Sequence, residues 1–157
     1  MSLEIRTGLT TSYRTGDDGF HESGLDFDYT NNGNGTITDN ITGLMWISDP
    51  INNVGEPFDA TMPFTTALMN TSALSYAGHS DWRVPNFHEL TTLLRFGGST
   101  PFISDPTLFH VEGSTSYWTS TSHIHDDTRA WVIRFDRMSI SHMGKSSQYW
   151  VRPVRTA

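Results

Sequence analysis

Cysteine is absent from this chain of 157 residues, and lysine occurs once, at Lys145. Without cysteine, the chain has no disulfides, no thiolate nucleophile and no metal site with cysteine ligands. Acidic residues outnumber basic ones by 17 to 10, which gives a formal net charge of -7, and the arginines are scattered. Such a chain repels phosphate groups, so we expect no nucleic-acid partner. No apolar run has transmembrane length, and we expect no membrane insertion.

The residues that are abundant favour strands and ordered turns. Thr, Ser, Asn and Gly are frequent, and aromatic residues make up 12% of the chain. The length fits one domain. We expect the polar residues 1–24 to form an irregular leader packed on a single domain at residues 25–157. Domain-like sequence follows directly after Met1-Ser2-Leu3, so we expect the chain to be part of a larger, multidomain protein.

Two helices are predicted in the first half of the domain. The first covers residues 63–69 and places three apolar side chains on one face. They are Phe64, Ala67 and Leu68. The second begins where Asn86 and Glu89 have the spacing of a capping box. Its apolar stripe runs through residues 87–94 before Gly97-Gly98 ends it.

Strands are predicted elsewhere. Asn-Gly pairs at residues 31–35 predict a tight hairpin, and a second turn at residues 40–43 leads into the apolar strand 44–47. Residues 49–56 are predicted to be a loop. Four further strands are expected to form an antiparallel meander: residues 117–121, 130–135, 138–143 and 149–154. Alternation in the second of these places Trp131, Ile133 and Phe135 on one face. Helices followed by a sheet indicate an α+β fold.

Three segments resemble functional motifs, but each lacks an essential residue. Residues 31–39 resemble a calcium loop, yet Ile41 occupies the position of the bidentate glutamate. We therefore favour a hairpin turn there and keep calcium as the alternative. A zinc-protease helix would need histidine at Thr92 to complement His88, so that segment is predicted to be a capped helix. Residues 78–82 lack the glycine that closes a nucleophile elbow, which indicates a structural turn.

The densest group of chemically capable side chains lies at residues 123–127. Two histidines at strand spacing point to the same side, and two carboxylates follow them. A divalent metal site formed by His123, His125 and Asp126 is therefore one hypothesis. A solvated loop between two strands is the simpler interpretation, because the spacing shows no fourth ligand.

Several strings are similar, in order and over nearly the whole chain, to the signature of one family. They are Gly33–Asn40 with Thr42–Trp46, Ala77–Asn86 with Glu89-Leu90, Tyr117–Thr121, Ala130–Val132 with Phe135, and Val151–Arg155. The pattern resembles the Lcl C-terminal domain family, named for a bacterial collagen-like adhesin. The resemblance implies a C-type lectin-like fold, in which two helices pack on a largely antiparallel sheet with long loops. It also implies a bacterial location that is extracellular, periplasmic or at the cell surface.

The chain departs from this family in two respects. The domain of the named adhesin is associated with sulfated glycosaminoglycans, which match poorly with an acidic chain that has one lysine. Many relatives carry cysteines in the first helix and the last strand, where this chain has Pro153, so packing alone must hold its fold. The resemblance further implies a set of scaffold residues that do not contact ligand: Trp82, Arg83, Pro85, Trp118 and Trp131.

These observations favour a non-catalytic recognition or adhesion domain, secreted or at the bacterial surface, that binds a glycan or a protein. Loops carry the contacts in such domains. The candidate contact residues are His123, His125, Asp126, Asp127 and Arg129 in one predicted loop, and His142 and Lys145 in the next. We expect no cofactor, with calcium or another divalent metal as the exception. The alternatives are a metal-dependent enzyme that uses the His/Asp cluster, and a structural module of a larger envelope protein.

Overall fold

The computed structural model describes residues 5–157 and shows an α+β domain built from short elements. Its helices are α1 (Asp18–His21), α2 (Pro50–Asn53), α3 (Phe64–Ser72) and α4 (Phe87–Thr91). Its strands are β1 (Tyr29–Asn31), β2 (Thr36–Asp39), β3 (Leu44–Ile47), β4 (Tyr117–His123), β5 (Asp126–Arg134), β6 (Ser139–Gly144) and β7 (Val154–Thr156). In this part of the chain no helix is long and apolar enough to cross a membrane.

The strands form two antiparallel sheets, whereas a single sheet was predicted. The first sheet has the order β1-β2-β3-β7, and the second has the order β4-β5-β6. The predicted meander is therefore confirmed for three of its four strands. The fourth, at residues 149–154, leaves the second sheet after one parallel bridge between Trp150 and Tyr117, and β7 then pairs with β3. The last strand thus connects the two sheets.

The hairpin predicted from the Asn-Gly pairs is confirmed. β1 and β2 pair from Tyr29 opposite Asp39 to Asn31 opposite Ile37. The turn needs a left-handed backbone at Gly35, where φ is 83°. The side-chain oxygen of Asn34 accepts hydrogen bonds from the main-chain N–H of Thr36 at 3.2 Å and from its hydroxyl at 2.7 Å. The amides of this segment therefore stabilise the turn itself.

The first predicted helix is present as α3, with a different buried stripe. Phe64 and Ala67 are buried as expected, but Leu68 is exposed and Thr71 is buried in its place. The Thr71 hydroxyl donates to the carbonyl of Ala67 at 2.7 Å, which allows this polar residue to enter the core.

The second predicted helix, α4, begins at the predicted capping box and ends earlier than its apolar stripe. Asn86 and Glu89 cap each other reciprocally. The helix stops at Thr91 because the hydroxyls of Thr91 and Thr92 bond back to carbonyls within the helix. The next three N–H groups, those of residues 92–94, then bond three residues back, which tightens the chain into a turn.

Two one-turn helices occur where irregular chain was predicted. In α2, Asp49 is the N-cap and accepts from the N–H of Asn52, while Pro50 occupies the first turn. In α1, Asp17 caps the leader segment in the same way. The leader is tied to the domain by the main-chain bond from Phe96 N–H to the Thr7 carbonyl. Local capping, invisible to hydrophobic periodicity, explains both helices.

The second sheet is covered on both faces. On one face Tyr117, Ile133 and Phe135 pack with Leu90 of α4, with the two leucines that follow the helix, and with side chains of the first sheet. On the other face Trp118 and Val132 pack with Phe64, Ala67 and other residues near α3. The predicted face of β5 is confirmed for Ile133 and Phe135, which are buried, whereas Trp131 at its outer end is half-buried.

Arg152 is fully buried between β7 and the rest of the core. One of its Nη atoms donates to the carbonyls of Ile47 at 2.8 Å and Ser48 at 2.6 Å, and the other donates to the carbonyl of His110. Its guanidinium also lies over the rings of Phe109 and Tyr117. Burial lowers the pKa of Arg152, while Tyr117 and Asp49 act in the opposite direction. This side chain ties the last strand to β3 and to the loop around residue 110.

We predict that Arg152→Met destabilises the domain by about 3–5 kcal/mol, because it leaves buried carbonyls without a donor. The measurement is the free energy of unfolding from urea titration. Arg155→Met is the matched control, because Arg155 pairs with the exposed Asp81 and its loss should cost about 1 kcal/mol or less. Equal effects of the two substitutions would contradict the role assigned to Arg152.

Candidate functional site

The segment predicted to be a loop at residues 123–129 is the tip of a β-hairpin. β4 includes His123, and β5 begins at Asp126 after a two-residue turn. His142 likewise lies within β6. The loop prediction was wrong because apolar alternation stops near Ala130, whereas pairing between main-chain groups does not require apolar side chains.

Side chains from β4, β5 and β6 meet on one face of the second sheet. The ring centroids of His123 and His142 are 4.4 Å apart, and they lie 5.7 Å and 5.5 Å from the centroid of Trp131. The register explains this arrangement, because His142 is directly opposite Trp131. Trp131 also continues the row formed by Ile133 and Phe135. Along this face of β5, the side chains are therefore buried at Phe135 and Ile133 and partly exposed to solvent at Trp131.

Helix α4 and the hairpin turn extend this surface. The ring of Phe87 is 5.6 Å from Trp131 and 5.7 Å from His88. The ring of His125 is 6.1 Å from His123. These six rings form one connected surface, which we call the aromatic face: Phe87, His88, His123, His125, Trp131 and His142.

A charged pair borders the aromatic face. Nη1 of Arg129 is 3.4 Å from Nδ1 of His142, and Nε of Arg129 is 3.1 Å from Oδ2 of Asp126. Oδ1 of Asp126 accepts from the N–H of Thr128 at 3.0 Å and from its hydroxyl at 2.5 Å. These bonds from Thr128, with a smaller effect of Arg129, lower the pKa of Asp126. The face thus has fixed charges of both signs at its border.

The structure brings together five of the seven candidate residues: His123, His125, Asp126, Arg129 and His142. Lys145 lies elsewhere. Its Nζ is 5.0 Å from the centroid of Phe64, in the cluster on the opposite face of the sheet. Asp127 is exposed beyond the pair that borders the aromatic face.

The metal hypothesis named His123, His125 and Asp126. Within residues 5–157, no group of three or more His, Asp or Glu side chains is arranged to hold a metal ion. The carboxylate of Asp126 is instead held by Thr128 and Arg129. The arrangement presents aromatic rings and a charged pair toward solvent.

Two adjoining grooves open beside the face. The first has a volume of about 500 Å³ and is lined by Asn86, Phe87, His88, Thr121 and Trp131. The second has a volume of about 570 Å³ and is lined by Leu68, Met69, Ser72, Arg83, Val84, Asn86 and Ser120. They share Asn86 as a lining residue, so they lie on either side of the start of α4. Each is within the size range of small-molecule sites.

Hydrogen bonds hold α4 against β4 at these grooves. The N–H of Phe87 donates to Oγ1 of Thr121 at 3.0 Å, and the N–H of Ser120 donates to the carbonyl of Pro85 at 2.7 Å. β4 is irregular here, since its pairing with β5 shifts between Trp118 and Ser122. The irregularity lets β4 bond to the start of α4, which places Phe87 next to Trp131.

Three residues of the site were missed from the sequence: Trp131, Phe87 and His88. Trp131 was predicted to be scaffold, like Trp82 and Trp118, but those two are buried and Trp131 is half-buried. The available signal was its place in β5, at the end of the apolar alternation next to Arg129. A tryptophan at that boundary is expected to have one side in contact with solvent.

The fold and the site define an α+β domain with a solvent-facing aromatic surface on the outer part of its second sheet. This chain belongs to the Lcl C-terminal domain family, whose model matches residues 35–155. The matched range contains the whole aromatic face and leaves out the leader. No curated protein matches the chain.

Glu89 caps the first turn of α4, the helix that carries Phe87 and His88. It accepts from both Nη atoms of Arg83 at 2.6 Å and from the N–H of Asn86 at 2.8 Å. Burial by itself would raise the pKa of Glu89, but these bonds outweigh it and the pKa lies below its usual value. A lowered carboxyl pKa stabilises the fold above the pKa of the unfolded chain, and that stability is lost as the pH falls.

We predict that Glu89→Gln costs about 1–2 kcal/mol at pH 7, because it removes a charged pair and weakens the cap. The difference from the parent protein should shrink in acid, as Glu89 itself becomes protonated. Urea unfolding at pH 7 and in acid measures both effects. Glu112→Gln is the control, because Glu112 pairs with His110 at a more exposed site. A cost independent of pH would contradict the prediction.

Proposed function

We propose that this domain is a non-catalytic recognition module that binds a glycan on its aromatic face. The observation that carries the proposal is the position of Trp131. This ring is half-buried, adjoins the 500 Å³ groove and contacts His123 and His142. The surface combines a flat apolar platform with hydrogen-bonding groups at its edges.

A sugar ring suits such a surface. One side of the ring carries C–H groups that pack on an aromatic face, while its hydroxyls point outward toward donors and acceptors. Here the outer groups are the imidazoles of His123 and His142 and the pair of Arg129 and Asp126. An ionised carboxylate accepts from hydroxyls, and a guanidinium donates to them. The carboxylate of Asp126 and the guanidinium of Arg129 both lie at the border of the aromatic face.

Family membership supports the wider proposal that the domain acts in the bacterial envelope or outside the cell, as an adhesion or surface module. The arrangement of α3 and α4 on opposite faces of the second sheet agrees with a C-type lectin-like organisation, which is part of the proposal. The acidic chain disfavours highly sulfated polymers as ligands. We therefore propose a neutral or weakly charged glycan.

A glycan array probed with the purified domain, with calcium and again with chelator, tests this function. We expect saturable binding to one glycan type in at least one condition. Trp131→Ala should weaken that binding at least about tenfold, because the platform is lost. Loss of binding with chelator would add a bridging cation to the proposal.

The control variant for that experiment is His110→Ala, whose imidazole pairs with Glu112 outside the aromatic face. It should bind as the parent protein does. Circular dichroism checks that Trp131→Ala remains folded. An array with no signal, or binding that survives Trp131→Ala, would contradict glycan recognition at this face.

A further inference from the structure

Arg95 is a half-buried arginine whose guanidinium has no acceptor within residues 5–157. Its Nε is shielded from solvent without a hydrogen-bond partner. Other arginines of the chain pair with a carboxylate: Arg6, Arg83, Arg129, Arg134, Arg137 and Arg155. Arg152 donates to buried carbonyls, and Arg14 is exposed to water. Partial burial of a cation without an acceptor is costly, so the position of Arg95 needs an explanation.

The backbone on both sides of Arg95 is fixed. Its N–H donates to the carbonyl of Phe102 at 3.2 Å, and the N–H of Phe96 donates to the carbonyl of Thr7 at 2.7 Å. The leader passes so close to the side chain that a Cβ on Gly8 would lie 2.6 Å from Cγ of Arg95. The leader therefore covers the stem of Arg95 and restricts the positions that its guanidinium can take.

A small pocket opens beside Arg95. It has a volume of about 180 Å³ and is lined by Arg95, by the turn at residues 97–99, and by Pro101, Ile103 and Pro106. No carboxylate is among these lining residues. Asp105 is next to Pro106 in the chain, but its Oδ1 accepts from the N–H of Thr107 at 2.8 Å and from its hydroxyl at 2.6 Å. The charge at this pocket is therefore that of Arg95.

The turn at residues 97–99 adds main-chain donors to the pocket. In the part of the chain that the structure describes, the N–H groups of Gly97, Gly98, Ser99 and Thr100 have no acceptor. Gly98 has a φ of 111°, which side chains rarely allow, and a Cβ on Gly97 would collide with the carbonyl of Gly8. Successive free N–H groups in a turn form concavities that bind anions. Donors of two kinds thus meet at one pocket.

We propose that this pocket binds a carboxylate group, with Arg95 as its main contact. The fork of a guanidinium matches the two oxygens of a carboxylate, and such pairs are strong hydrogen bonds. Phosphate carries more negative charge at neutral pH, and the net charge of -7 repels it more strongly. The pocket shares no lining residue with the two grooves beside the aromatic face, so this site is separate from the proposed glycan site.

An acetate titration of the isotopically labelled chain, followed by NMR at neutral pH, tests the site. Sodium chloride keeps the ionic strength constant, and the signals observed are the N–H groups of residues 97–99 and the Nε–H of Arg95. We expect saturable shifts at these groups, with a dissociation constant in about the millimolar range because acetate has few atoms. The absence of saturable shifts up to about 100 millimolar acetate would overturn the proposal.

Arg95→Gln should weaken acetate binding at least about tenfold, because it removes the charged donor. Arg14→Gln is the matched control, since it changes the net charge by the same amount at an exposed position that does not line the pocket. It should bind acetate as the parent chain does. Equal effects of the two substitutions would assign the binding to net charge and overturn the site.

Ser99 provides a second pair of variants in case Arg95→Gln disturbs packing under the leader. Ser99→Glu adds a carboxylate to the rim of the pocket, where it competes for Arg95, and should weaken acetate binding at least about tenfold. Ser99→Gln has a similar size without the charge and should retain binding. Equal acetate binding by these two variants would contradict the proposal.

Further probes define the ligand. Phosphate should bind more weakly than acetate, and tighter binding of phosphate would overturn the choice of a carboxylate. Glucuronate and acetylglycine present the same carboxylate on a sugar and on a peptide end. Binding of either that exceeds acetate binding and is lost in Arg95→Gln would support the proposal and identify the source of the carboxylate.

Discussion

The buried guanidinium of Arg152 is the constraint on which the two-sheet arrangement depends. A charged group without a carboxylate contact is costly to bury unless its donors are satisfied. Both Nη atoms of Arg152 meet this requirement with three carbonyls from the end of β3 and the loop at residue 110, and the guanidinium lies over the rings of Phe109 and Tyr117. Its Nε is buried without a hydrogen-bond partner in the described residues, which adds to the cost of this position. The carbonyl and ring partners fix where the chain passes from the second sheet to the first after β6. Because β7 then pairs with β3 in the first sheet, the second sheet has only three strands.

A three-stranded sheet that is longer than the helices beside it creates the site. α3 and α4 span nine and five residues, whereas β5 alone has nine residues in extended form. An extended strand rises more than twice as far per residue as a helix. The inner half of β5 is therefore covered, and its outer half is open. The same alternation that buries Ile133 exposes one side of Trp131.

Much of the local structure could be predicted from the sequence. The capping box at Asn86 and Glu89 and the Asn-Gly hairpin were confirmed, because each depends on a few neighbouring residues. The crossing after β6 could not be predicted, since it depends on contacts between Arg152 and residues about 40 and 100 positions away. The hairpin tip was mistaken for a loop for a related reason. Its strands are held by main-chain pairing between β4 and β5, while its polar side chains give no strand periodicity.

Several of the predicted candidate residues lie together, for a reason that differs from the one first given. His123, Arg129 and His142 do lie together, but on paired strands and not on loops. Main-chain pairing fixes the backbone of each residue in advance, so under the proposed function little conformational entropy would remain to be lost on binding. A rigid aromatic platform needs few rotamers to be ordered, which adds to this advantage. In a chain without disulfides, the hydrogen-bonded ladder of β4, β5 and β6 supplies this preorganisation, and Trp131 at its centre is the ring through which α4 and the histidines are held in one surface.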